Sequence, residues 1–202
     1  MKRIIKFCLL ISVSFLLVSC GKVDDTAQSQ NGTPSSEVSQ QIANEERVQV
    51  SSSGNYGVYD MTGEFVTKVN NNPIDSDYGI ELNELNQSKS FSTTTQLELE
   101  LKFTEIWDKE LNSIYNKLLA KLNTKERGAL IESQKGWLQF HMKESEFVKQ
   151  VFYFQESGPV LGSQGTVQMQ QAIKGRIRER TLELMEYYSI LGNPIEFVYK
   201  EK

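Results

Sequence analysis

Few residues in this chain are equipped for chemistry. There is one histidine, His141, and there are two cysteines, Cys8 and Cys20, in 202 residues. A zinc site needs several nitrogen or sulfur ligands, and His141 has no second soft ligand to join it. It therefore reads as a core or boundary residue on a helix stripe. No Gly-x-Ser-x-Gly, phosphate loop or His-Glu-x-x-His occurs. Glu98, Glu100, Glu105 and Glu110 could supply paired carboxylates for glycoside hydrolysis, but such pairs need a cleft. On a small helical bundle they read more simply as a solvated face, and Lys174, Arg176 and Arg178 with Lys149 as a local basic surface. No catalytic residue, metal or cofactor is expected, so the chain reads as a non-enzyme.

Four polar side chains stand out for another reason. Asp108, Asn112, Gln134 and Arg180 lie on or beside apolar stripes, and a buried charge needs a partner. The spacing predicts that Asp108 and Arg180 face each other, with Asn112 and Gln134 near them. Such a network either fixes the register of helices or lines a polar pocket.

The elements that must position these residues follow from periodicity. Thr104, Asp108, Leu111, Tyr115, Leu118 and Leu122 recur at helical spacing, widened by Ile106, Trp107, Ile114 and Leu119. This first long helix should start near Thr94 or Thr95 and end at Asn123. Asn123-Thr124-Lys125-Glu126 forms a capping box for the next helix, so the two are antiparallel neighbours. The second helix carries Leu130, Gln134, Trp137, His141, Glu144 and Val148 on one stripe and stops before Ser157-Gly158-Pro159. A loop from Gly158 to Gly165 leads to a third helix, about Thr166 to Leu191, with Ile173, Ile177, Arg180, Leu184 and Tyr188 (or Leu191) inward. Gly192 and Pro194 stop it. Ile195, Phe197, Val198 and Tyr199 form an apolar tail able to fold back. The expected fold is all-α, an antiparallel three-helix bundle over residues 93–202.

Ahead of the bundle the composition changes. Residues 1–19 read as a signal peptide: Lys2, Arg3 and Lys6, then an apolar run from Phe7 to Val18 too short to span a bilayer comfortably. Leu17-Val18-Ser19-Cys20-Gly21 resembles the lipobox of bacterial lipoproteins, which implies lipidation of Cys20. At about 0.8 kcal/mol per buried methylene, several acyl chains anchor firmly. The implied location is the cell envelope, and in a Gram-negative host the outer membrane facing the periplasm, because Gly21 is not Asp. Residues 20–53 are rich in Ser, Gln, Asn and Thr and read as a disordered tether with a reach of roughly 30 Å. Residues 54–92 read as irregular, with a hairpin around Thr62-Gly63 running on to Val69 and a short helix within Ile74 to Leu85. Since Cys8 lies in the leader and Cys20 at the lipid site, no thiol is left to the folded domain. The leader holds three cations and no acid, so without it the formal charge of −4 falls by three, to −7. An acidic chain argues against nucleic acid as a partner.

Asp108-x-x-Leu111-Asn112-x-x-Tyr115-x-x-Leu118, Leu130-x-x-x-Gln134-x-x-Trp137 and Arg180-Thr181-x-x-Leu184 together resemble the lysozyme inhibitor LprI N-terminal domain family. Leu111, Tyr115 and Trp137 are the core of that motif. The resemblance covers about Thr95 to Leu191 and implies an all-helical domain and inhibition of lysozyme. Where family members carry cysteines, this chain has Ser145, Ala172 and a third position around Leu99 to Lys102. Their Arg-Asp after the Trp motif is His141-Met142 here. The expected function is therefore an envelope lipoprotein binding domain that inhibits lysozyme. The alternative is a structural or docking lipoprotein of the envelope. The expected partners are the membrane, through the lipid at Cys20, and lysozyme or another envelope protein. The contact regions expected are the Gly158 to Gly165 loop and the exposed helix ends.

Overall fold

Asn123 sets the frame. Its side-chain oxygen accepts the amides of Lys125 and Glu126 at 3.0 and 3.1 Å, and the Glu126 carboxylate takes the Asn123 N–H at 2.8 Å. This reciprocal box satisfies amides that a helix start leaves unpaired. It forces the chain to reverse within two residues. The computed structural model describes residues 55–153, 158 and 160–201. Among them are five helices: α1 (Glu64–Asn70), α2 (Pro73–Gln87), α3 (Thr93–Lys121), α4 (Thr124–Phe152) and α5 (Gly162–Ile190). The signal peptide, Cys20 and the tether lie outside the described residues. No helix among the described residues is long and apolar enough to cross a membrane.

The three long helices form the expected all-α bundle. Each has 29 residues, so each runs roughly 44 Å. Gln164 bonds Gln96, and Gln170 bonds Thr104, so α5 runs parallel to α3. Arg180 bonds Gln134 while Arg176 reaches Ser145, so α4 is antiparallel to α5.

The start of α3 differs slightly from expectation. Ser92 is its cap, with Thr95 closing a second reciprocal box. The buried stripe of α3 is also turned. Leu99, Phe103, Trp107, Leu111, Ile114 and Leu118 are buried, whereas Thr104 and Tyr115 are half-buried and Asp108 is exposed. The reason is tertiary: α3 is covered by α5, by α2 and by the C-terminal tail. Tyr78 meets Phe103 edge-on at 5.2 Å, and Phe197 meets Trp107 at 6.2 Å. Burying one such aromatic contributes about 4–6 kcal/mol as an upper bound.

Residues 55–92 carry more regular structure than their composition suggested. Tyr56 and Met61 exchange two backbone bonds, which closes a small turn. The expected second strand is instead α1. A strand would point Phe65 and Val66 to opposite sides, whereas a helix brings Phe65, Val66 and Val69 to one core face. The helix expected within Ile74 to Leu85 is present as α2, capped by Asn72. The loop after Gly158 is shorter than expected, because α5 begins at Gly162. Gly165 is buried, and a Cβ there would sit 2.3 Å from the Leu161 Cβ. At the far end Gly192, with φ of 78°, donates to the Ser189 carbonyl and stops α5. The tail then folds back and places Ile195 in the core.

Candidate binding surface

Arg180 is the pivot of α4 on α5. It is 5% exposed, and each of its three guanidinium nitrogens donates a hydrogen bond. Nε donates to Gln134 Oε1 at 3.0 Å, Nη1 to Glu183 Oε2 at 2.6 Å and Nη2 to Ser133 Oγ at 3.1 Å. Glu183 also accepts the Tyr187 hydroxyl at 2.7 Å. The predicted Asp108–Arg180 pair is not what forms. Asp108 is exposed and accepts Asn112 Nδ2 at 3.1 Å, while that amide also reaches the Asp108 carbonyl at 2.7 Å. The turned stripe of α3 explains this. Asp108 lies on the flank that faces α4, whereas Arg180 reaches α4 directly from α5. The four polar residues are thus two bonded pairs, Gln134–Arg180 and Asp108–Asn112. Asp108, Asn112 and Gln134 do share a cleft of about 280 Å³ with Leu111, Tyr115, Ile131 and Leu138.

One helix turn away, Trp137 stacks on His141 with centroids 5.0 Å apart. His141 Nδ1 accepts Arg176 Nε at 3.4 Å, and Ser145 Oγ accepts Arg176 Nη2 at 2.8 Å. Burial first, and then the Arg176 charge, hold the imidazole below its ordinary value, with Asp108 pulling the other way. His141 is therefore a boundary residue, as its isolation suggested. Among the described residues there is no group of three side chains able to hold a metal ion.

Two of the carboxylates read as solvated are buried. Glu100, 1% exposed, accepts the Tyr78 hydroxyl at 2.6 Å and Gln171 Nε2 at 3.1 Å, and Lys174 Nζ lies 2.6 Å from its other oxygen. Burial pushes the Lys174 ammonium down, against the pull of Glu100. Glu110, 2% exposed, accepts the Tyr199 amide at 2.5 Å from the folded-back tail. Burial raises its carboxyl, and the amides of Tyr199 and Val198 oppose that. Glu98 and Glu105 are exposed, as expected. The supposed basic surface on α5 is likewise engaged, for Lys174 pairs with Glu100 and Arg178 forks onto Asp75.

Sequence reasoning missed the strap over α5. Tyr59 N–H donates to the buried Glu186 carboxylate at 2.9 Å, and a Cβ on Gly57 would meet that carboxylate at 2.4 Å. Gly57 has φ of 75°, so both the space and the backbone require glycine. A glutamate among Leu182, Leu184 and Met185 was the available signal. With Trp137 and Phe140, the strap residues Tyr56 and Val58 line a groove of about 390 Å³ between α4 and α5.

Helix α4 carries most of the exposed apolar surface around these grooves. Gln134 is its one buried residue, while Leu130 and Trp137 are half-buried. Ile131, Leu138, Phe140, Met142 and Phe147 remain exposed, Phe140 to 54%. Leu138 and Met142 lie on one flank of the helix, Phe140 and Phe147 on the other. In the turn beyond, Val160 and Leu161 are exposed too. Scattered exposed apolar residues are ordinary, but five large ones on a single helix, spread over two of its flanks, make α4 the candidate contact surface.

The fold and this surface define a class: an all-helical bundle whose charged interior is structural and whose outer helix is available for contact. Residues 87–184, from the end of α2 to within α5, match the family model Lysozyme inhibitor LprI. No curated protein and no solved structure matches the chain.

Proposed function

We propose that this chain is a lipid-anchored protein of the cell envelope that binds lysozyme and inhibits it without catalysis of its own. The observation that carries this reading is the family match over residues 87–184. Its exposed α4 surface supports it, because Phe140, Met142 and Phe147 offer the apolar and aromatic area that protein contacts favour. The acidic balance of the chain also suits lysozyme, a basic enzyme, since opposite charge speeds encounter. The expected contact at Gly158 to Gly165 reduces to Val160, Leu161 and the start of α5, adjoining the end of α4. The anchor in this reading is Cys20, and the location is the outer membrane facing the periplasm if the host is Gram-negative.

The test is lysozyme turnover on cell-wall substrate with the purified chain added. Inhibition that saturates with the chain is expected, weaker in a Phe140→Ser, Phe147→Ser variant that retains its fold. Undiminished turnover at micromolar excess of the chain would sink the reading and leave a docking role at the envelope.

A further inference from the structure

A groove of about 680 Å³ runs between α2 and α3, on a different side of α3 from the α4 cleft. Its charge is one-sided: Asp77, Glu81, Glu84 and Glu98 line it against the single cation Lys102. Glu81 is paired with Lys102, and Asp77 accepts the Tyr199 hydroxyl at 2.7 Å. Glu84 and Glu98 are exposed and make no hydrogen bond or ion pair with any described residue. The walls are not merely solvated acid, since Leu85 and Leu99 form an apolar floor. Ile80 stands in the same groove at 54% exposure, between the carboxylates of Asp77 and Glu84 along α2.

The acidic wall comes from α2, which carries Asp75, Asp77, Glu81 and Glu84 and no lysine or arginine. All of α2 but Gln87 precedes the family-matched segment. The groove is thus built by joining an acidic helix to the family domain.

We propose that the α2–α3 groove docks a cationic amphipathic segment of a protein partner. Lysine or arginine side chains of that segment meet Glu84 and Glu98, and its apolar side chains pack on Ile80, Leu85 and Leu99. Charge complementarity selects this occupant. An anionic membrane or a nucleic acid would be repelled by the same carboxylates. The assignment does not depend on the partner being lysozyme.

The probe is a fluorescent Lys/Leu amphipathic helix of about 15 residues, titrated with the full chain by anisotropy at low and high salt. Three variants are compared: Glu84→Lys with Glu98→Lys, Ile80→Ser, and Glu132→Lys with Glu146→Lys on α4 as a control of equal charge change. Circular dichroism checks that each is folded. Salt-sensitive binding is expected, weakened roughly tenfold by the groove pair and severalfold by Ile80→Ser, and within about twofold of wild type in the control. Equal weakening by the control would reduce the effect to net charge and overturn the proposal. No binding by the wild type would overturn it too. So would self-association of the chain in sedimentation that only the groove variants abolish, because the occupant would then be a second copy.

Discussion

His141 shows how a single side chain is tuned by its neighbours. It stacks on Trp137 and accepts from Arg176, and its folded pKa is pushed below the usual 6.5 by burial and by that guanidinium. A depressed histidine favours the neutral ring in the folded state, so the unfolded chain takes up the proton first. Its stability contribution is therefore present above about 6.5 and is lost as pH falls through the lower folded value. Glu110 works the other way at lower pH: its raised carboxyl protonates first in the folded state, so acidification relieves its burial. Comparing variants separates the two. Between neutral pH and about pH 5, the melting temperature of wild type should fall more than that of His141→Gln. Parallel curves would mean that His141 contributes nothing to the fall. The sequence reading placed His141 at a boundary, but its Arg176 partner lies 35 residues away and was not visible along the chain.

At the scale of elements, the helix-to-helix grip rests on Arg180. Removing it strands the buried Gln134 oxygen, which is costly, while the Glu183 carboxylate, 42% exposed, turns to water. Arg180→Met should lower stability by roughly 1–3 kcal/mol in urea unfolding. Asp108→Ala should stay within about 0.5 kcal/mol, because that carboxylate is exposed. Equal losses would restore the pairing expected from spacing alone. Much at this scale was legible in the sequence. The Asn123 box, the three helices, the stop at Gly192 and the returning tail were all readable, since each is set by local chemistry. The conversion of Phe65 to Val69 into α1 was not. There the core face, rather than local propensity, decided.

For the whole molecule, charge and exposed apolar surface are the organising features. Asp77, Glu81 and Glu84 of α2 flank one groove, while Ile131 and Leu138 of α4 line the cleft against α3 and Phe140 lines the groove against α5. Such an arrangement presents chemically different grooves on separate sides of the bundle. The anchor proposed at Cys20 is testable independently of any partner. In membrane fractionation the wild type should sediment with the envelope and Cys20→Ser should appear in the soluble fraction, because one lipid-bearing thiol supplies the hold. Equal distribution of the two proteins would refute lipidation there.

The sequence by itself determined the all-helical bundle, its helix reversals, the family motif and which polar residues had to be explained. Those features depend on spacing and on neighbours a few residues apart. Only the tertiary structure decided which carboxylates are buried and which cation each one meets. Glu100 with Lys174, Asp75 with Arg178 and Glu186 with the Tyr59 amide join residues 74, 103 and 127 positions apart. Which face of α3 turns inward is set by what packs on it from α2, α5 and the tail. Helical periodicity defines a stripe to within a residue or so, and that tolerance was enough to move Asp108 from the core to the surface.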